Sequence, residues 1–160
     1  MPIVLTRIDN RLIHGAVAVS WTSHSGANLI VVVDDAVAKD EGQRMLLDMA
    51  APHGIGTRYF SVEDAIMKLP KASPSQKIFL LVKEVETIVK LIEGGIDIKE
   101  VNVGNMHFKE GKKQISSSIS VDENDVRAFK KLHEAGVILE SRRVPTENSV
   151  EVMKLLKEVE

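Results

Sequence analysis

The sequence predicts an α/β fold, a single-domain, open and mostly parallel β-sheet with helices on both faces. Three observations carry this reading. Short β-rich runs alternate with longer segments of helical period along the chain, the rhythm of strand-helix-strand units. Two of the runs, Leu29–Val33 and Ile78–Val82, are apolar at every position, as strands covered on both faces are. The 160 residues are 44% apolar and 28% charged, an ordinary globular balance that makes residues 1–160 one domain with a sizeable core.

Taken in order, Ile3–Leu5 is the first strand, followed by a loop over Thr6–His14 and a helix from Gly15 to about His24. Gly26 closes that helix, because the left-handed backbone of a C-terminal cap suits glycine. The strand Leu29–Val33 leads to a helix over Asp40–Ala51, stopped by Pro52 and Gly54. Thr57–Phe60 is a weaker strand, and Ser61-Val-Glu-Asp64 reads as a capping box for a helix ending at Leu69. After the strand Ile78–Val82, the residues Val85, Ile88, Val89 and Ile92 share one helical face, ended by Gly94-Gly95. Glu100–Val103 and Gln114–Ser120 are strands on either side of a polar loop. Asp122 caps a helix with Val126, Phe129 and His133 on one face, closed by Gly136. Val137–Leu139 is the last strand, and Val152, Leu155, Leu156 and Val159 mark a terminal helix.

Composition excludes several classes. Lys and Arg number 21 against 23 Asp and Glu, giving −2, so no basic field favours nucleic acid or an anionic membrane. The absence of cysteine removes disulfides, thiol chemistry and Cys-ligated zinc. The longest apolar runs have five residues, against about 20 for a spanning helix. The start, MPIVLTRIDN, lacks the pattern of a signal peptide, and a soluble cytoplasmic domain is expected.

Ligands of such folds bind outside the carboxyl ends of the strands, which directs attention to the loops after Ile3–Leu5, Leu29–Val33, Ile78–Val82 and Glu100–Val103. The first holds Arg7-Ile-Asp-Asn-Arg-Leu-Ile-His14-Gly15, two guanidiniums, a carboxylate and an imidazole just before a helix start. A neutral imidazole is a good nucleophile near neutral pH. Arg7 and Arg11 offer planar forks for phosphate oxygens, assisted by helix-start N–H groups. Asp9 could hold one ring proton and leave the other nitrogen of His14 free to attack, and Gly15 would let the backbone approach a phosphoryl group. The bland alternative is a loop of solvated or paired side chains with a partly buried histidine, and residue types alone leave both open. No histidine pair has metal-site spacing, and no G-x-G-x-x-G or Walker motif occurs, so no metal or cofactor is expected. Asp34-Asp35 raises a receiver-like alternative with an aspartyl phosphate and Lys83 as its lysine. It lacks a phosphoacceptor Asp after Thr57–Phe60, and a helix cap at Asp34 accounts better for the pair.

The segment Arg7–Gly15 resembles the active-site segment of the IIB component of mannose-family sugar phosphotransferase systems. Trp21, Gly26-Ala-Asn28, Val31-Val-Val-Asp-Asp35, Ala50-Ala-Pro52, Asn102-Val-Gly104, Lys112-Lys-Gln-Ile115, Ser120-Val-Asp122 and Val144-Pro145 extend the likeness over nearly the whole chain. The resemblance implies a phosphohistidine–sugar phosphotransferase. His14 would accept a phosphoryl group from a phosphohistidine of IIA and pass it to a sugar entering through the membrane components IIC and IID. Arg7 and Arg11 would stabilise the transferring group, and no ATP or metal would be needed. It is also compatible with a homodimer. Asn102-Val-Gly-Asn-Met-His-Phe108 looks like the form found in N-acetylgalactosamine-type members. Mannose, sorbose or a galactosamine-containing disaccharide stay open as substrates. Lys83 and Asn105, on strand-end loops, are further candidate neighbours of the site. Two positions depart from the pattern: Ala16 stands where Gln usually follows His-Gly, and Asn10 where Asp or Glu is common. A regulatory binding module on the same fold is the alternative of another class.

Overall fold

The computed structural model describes residues 2–159. Its centre is strand β1, Ile3–Asp9, flanked on both sides by parallel neighbours. The other strands are β2 (Leu29–Val33), β3 (Gly56–Phe60), β4 (Ile78–Val82), β5 (Glu100–Asn105), β6 (Lys113–Gln114), β7 (Ser120–Val121), β8 (Ile138–Ser141) and β9 (Val150–Glu151). The main sheet runs β3-β2-β4-β1-β5-β8-β9. It is parallel except for β9, which returns antiparallel to β8.

Helices cover both faces, as the apolar strands require. The helices are α1 (Gly15–Ser25), α2 (Asp35–Ala38), α3 (Glu41–Ala50), α4 (Val62–Lys68), α5 (Val85–Glu93), α6 (Glu123–Glu134) and α7 (Val152–Glu158). Alternate residues of one strand serve opposite cores, because side chains change face at every residue. Val31, Val33, Leu80 and Val82 pack with Val85 and Ile88 of α5 and Phe129 of α6. Ile30, Val32, Phe79 and Leu81 pack with Ala18 and Trp21 of α1, Val37 of α2 and Leu47 of α3. The expected boundaries at Leu29–Val33 and Ile78–Val82 hold to the residue. Gly26 caps α1 with φ 73° and Asp122 caps α6 in a full capping box.

Four readings are corrected. Val137–Leu139 is not the last strand, because β8 runs Ile138–Ser141 and β9 follows it to pair antiparallel at the sheet edge. The first strand continues to Asp9 rather than stopping at Leu5, so Arg7 and Asp9 belong to the sheet and not to a loop. Gln114–Ser120 is not one strand. Its ends pair antiparallel, Gln114 with Ser120 and Lys113 with Val121, and the residues between form their turn. His133 is exposed and does not share the buried face of α6. The short helix α2 has no apolar period to announce it, and Asp34 caps it by accepting the Val37 N–H at 3.0 Å.

Chain order places the site. From β1 the chain moves toward β2 and β3, whereas from β5 it moves away toward β8. The carboxyl ends of β1 and β5 therefore border the crevice where the winding reverses, the usual ligand position in an open α/β sheet.

Candidate active site

The polypeptide leaves β1 through a tight turn. The Asp9 carboxylate accepts the Arg11 backbone N–H at 3.0 Å, and the Asp9 carbonyl accepts the Leu12 N–H at 2.9 Å. Aspartate favours such turns because its side chain reaches the backbone two residues on. Leu12 takes φ 60°, the one left-handed non-glycine among the described residues. That turn sends Leu12 and Ile13 into the core under α1 and leaves His14 on the surface.

His14 is the N-cap residue of α1, and its imidazole makes no capping bond. The Val17 and Ala18 N–H groups donate to the His14 carbonyl at 3.0 and 3.2 Å. The earlier amides of Gly15 and Ala16 meet no capping side chain, and no acidic residue lies in the first turn. Unpaired N–H groups at a helix start carry partial positive charge and bind anions. Gly15 has φ 34°, and a Cβ there would meet nothing within 4 Å. Glycine is present for its backbone conformation, not for close packing.

The arginines divide sharply. Arg11 donates to Asp9 from Nε to Oδ1 at 2.9 Å and from Nη2 to Oδ2 at 2.8 Å. The hydrogen bond to Asp9 is the main reason its pKa is raised. About a third of its side chain is exposed, and the N–H groups not taken by Asp9 remain for a ligand. Arg7 is the opposite case, 1% exposed beneath the turn. Nη1 donates to Asn102 Oδ1 and, at 2.9 Å, to the Arg142 carbonyl. Nη2 donates to Asp9 Oδ2 at 3.3 Å and to the Arg143 carbonyl at 3.0 Å. Burial pulls its pKa down to about 10, which still leaves it a cation at neutral pH. The expectation that Arg7 faces the phosphoryl group is therefore corrected, since its forked end is spent inside the protein.

Asp9 is corrected likewise. Both carboxylate oxygens are engaged by Arg7 and Arg11, and no hydrogen bond joins Asp9 to His14 among the described residues. Its carboxylate holds the Arg11 side chain by both oxygens. Asn105 lies abreast of Asp9 in the sheet. Its Nδ2 donates to Asn10 Oδ1 at 2.5 Å and its carbonyl accepts the Asn10 N–H at 3.0 Å, so asparagine at position 10 is part of the clamp on the turn. Lys83 follows Val82, the register partner of Ile8, half-buried and with no hydrogen bond or ion pair to the turn among the described residues.

Sequence reasoning missed the frame around Arg7. A Cβ at Gly104 would overlap the guanidinium, so this glycine makes room for it. Trp21 lies 4.9 Å from Arg7 Cζ and donates from Nε1 to the Arg143 carbonyl at 3.1 Å. Asn102 also donates to Glu140 at 2.9 Å, and Glu140 holds Arg142 through two bonds of 2.9 and 3.0 Å. The lone Trp and the Asn-Val-Gly triplet were the available signals. Among the described residues, no three His, Cys, Asp or Glu side chains gather as a metal site. Asp35 instead accepts the Val62 N–H at 2.8 Å, and with Asp34 capping α2 the pair serves the backbone rather than a receiver-type site.

Among the described residues the His14 imidazole is exposed and unpaired at a helix start, three residues after an arginine held by a buried carboxylate, an arrangement that can serve nucleophilic chemistry on an anionic group. On an open α/β sheet such an arrangement suits a group-transfer domain. The family described as PTS system sorbose subfamily IIB component matches residues 3–160. The chain is 51% identical over 151 residues to the N-acetylgalactosamine-specific phosphotransferase enzyme IIB component 1 of Escherichia coli (strain K12), covering 94% of this chain and 96% of that protein. It is 40% identical to the mannose-specific EIIAB component of the same strain, covering all of this chain and 50% of that protein. The crystal structure of the IIBSor domain of the sorbose permease from Klebsiella pneumoniae superposes with a TM-score of 0.93 at 34% identity, covering 100% and 99% of the two chains. The chain belongs to the sorbose-subfamily IIB components, the mannose-family sugar phosphotransferase proteins, and phosphotransfer is its general activity.

Proposed function

We propose that this chain carries a phosphoryl group on His14, taking it from a phosphohistidine of a IIA component and passing it to a sugar that enters through IIC and IID. The observation that carries this reading is the exposed His14 imidazole at the start of α1, unpaired among the described residues and three residues after the Asp9-anchored Arg11. A ring nitrogen of His14 attacks phosphorus as the bond from phosphorus to the donor imidazole breaks. The two phosphohistidines are near in energy, so the chain's work is positioning and charge stabilisation. Arg11 and the first amides of α1 hold the equatorial oxygens. In the second step a sugar hydroxyl attacks phosphorus as the bond from phosphorus to the His14 nitrogen breaks, and the hydroxyl proton ends on the departing imidazole.

Domain, location and substrate belong to the same proposal. The chain acts as one domain at the cytoplasmic side of the membrane, held there by IIC and IID. Among the described residues no helix is long and apolar enough to cross a membrane. The sugar is N-acetylgalactosamine, supported by the relative named for that sugar at 51% identity.

Intact mass decides the first step. The native chain and His14→Ala are incubated with phosphoenolpyruvate, the general phosphotransfer proteins and the cognate IIA. One added phosphoryl group, acid-labile, alkali-stable and absent from His14→Ala, is the expected result. No adduct despite phosphorylated IIA would overturn the relay and favour a binding module. An alkali-labile adduct retained in His14→Ala would point to an aspartyl phosphate. With IIC and IID membranes, phosphorylation of N-acetylgalactosamine in preference to mannose and sorbose checks the sugar.

A further inference from the structure

Arg7 is a buried cation with one carboxylate at 3.3 Å and otherwise neutral partners. Replacing a whole buried ion pair by apolar side chains of similar volume is often neutral or stabilising, whereas removing one partner strands the other, so sheet stability alone gives no reason for the Arg7–Asp9 pair at this point of β1. The bonds of Arg7 supply one. Nη2 reaches the same Asp9 carboxylate that holds Arg11 by both oxygens. Nη1 and Nη2 also hold the successive carbonyls of Arg142 and Arg143, on a segment 135 residues further along the chain. Trp21 fastens the second of those carbonyls from α1, and Arg142 Cζ lies 5.1 Å from the Trp21 ring. A planar fork reaches these separated acceptors at once, whereas a lysine ammonium is a point charge.

We propose that Arg7 is a positioning residue for phosphoryl transfer: it fixes Asp9, and through Asp9 the fork of Arg11, against the 142–147 segment. This rests on the reading of His14 as phosphoryl acceptor. The segment after β8 is thereby part of the frame of the site without touching the transferring group. A shift of its carbonyls moves Arg7, and with it the geometry of Arg11 beside His14. Arg11 acts on phosphorus directly, whereas Arg7 and Trp21 act through it.

Two variants test this in the full chain. Arg7→Lys keeps the charge and loses the fork. Trp21→Phe keeps an aromatic ring and removes the bond to the Arg143 carbonyl together with part of the ring beside Arg7 and Arg142. Transfer from phosphorylated IIA and the hydrolytic lifetime of the phosphohistidine are both measured, with folding checked by circular dichroism. Transfer is expected to slow by about tenfold or more in Arg7→Lys and about threefold in Trp21→Phe, as a kcat effect with KM for the donor unchanged. Lifetime should lengthen in both, because hydrolysis and transfer share the charge that Arg11 stabilises. A merely loosened loop would admit water and shorten it.

Transfer within about twofold of the native rate in both variants, or a shortened lifetime, overturns the proposal. Slowing in Arg7→Lys with a native rate in Trp21→Phe would overturn the coupling to the 142–147 segment. If Arg7→Lys does not fold, Trp21→Phe decides. A native chain that takes up no phosphoryl group would instead overturn the relay itself.

Discussion

Leu12 and Ile13 are buried while His14 next to them is exposed, and the left-handed backbone at Leu12 permits both. A non-glycine residue in such a conformation costs on the order of 1–3 kcal/mol, and burial of the Leu12 side chain in the α1 core helps to offset it. The same turn sets Arg11 against Asp9. Because Asp9 takes only one edge of the Arg11 fork, the rest of the guanidinium is free for phosphate oxygens. Arg11→Gln should therefore slow phosphoryl uptake by about 10²–10³-fold, the usual effect of removing one donor to a developing oxyanion. It also withdraws two hydrogen bonds from the buried Asp9 carboxylate, so urea unfolding should show a loss of about 1–3 kcal/mol. Mass-resolved uptake kinetics check the first expectation, and equal native and variant rates would remove Arg11 from the site.

Helix α6 shows how an element is fixed by its ends. Asp122 accepts the Asp125 N–H at 2.8 Å, Asp125 accepts the Asp122 N–H at 3.1 Å, and Lys112 pairs with Asp125 at 3.1 Å. The backbone hydrogen bond from Asp125 is the main cause of a lowered Asp122 pKa. A carboxyl whose folded pKa is depressed stabilises the fold above its unfolded value, and that contribution disappears as pH falls through the folded one. Asp122→Ala should cost about 1 kcal/mol at neutral pH. Its deficit against the native chain should shrink as pH falls below the ordinary carboxylate value of about 3.9. Urea midpoints for both proteins at the two pH values measure this, and a deficit independent of pH would refute the charged cap. Helix α3 is tied to the edge strand differently, by Asp48 accepting from Thr57 Oγ1 at 2.7 Å and from Tyr59 at 2.6 Å. Burial, aided by that bond, raises the Tyr59 pKa.

Two cores on opposite faces of one sheet set the stability of the whole molecule. Phe129, fully buried, packs with Val85, Ile88 and the β5 side of the sheet, and Phe129→Ala should cost about 3–5 kcal/mol. Met49 on α3 is 83% exposed, and Met49→Ala should stay within about 0.5 kcal/mol of native. Thermal denaturation of the two variants gives the contrast. A small effect at Phe129 would mean that the α5 and α6 layer contributes little to the cooperative unit. Sheet order also bears on the proposed phosphoryl site, because β1 and β5 send their following segments in opposite directions and His14 lies on the segment that leaves β1.

Local pattern determined much of this protein. The all-apolar runs of β2 and β4, the glycine after α1, the Asp122 cap and the cluster from Arg7 to Gly15 were legible because each depends on neighbours a few residues away. Local chemistry likewise singled out His14 and Arg11, which the structure leaves more exposed than Arg7 and Asp9. The continuation of β1 to Asp9 was hidden, because Arg7 and Asp9 look like loop residues until acceptors from distant segments bury them. Those acceptors are Asn102 on β5 and the carbonyls of Arg142 and Arg143 after β8. Only the tertiary structure decided that Arg7 is internal, that Asp9 bonds Arg7 and Arg11 and not the imidazole, and that Gly104 and Trp21 pack around Arg7. The physical reason is that a buried charge takes its role from the groups that replace its water, and here most of those groups lie far along the chain.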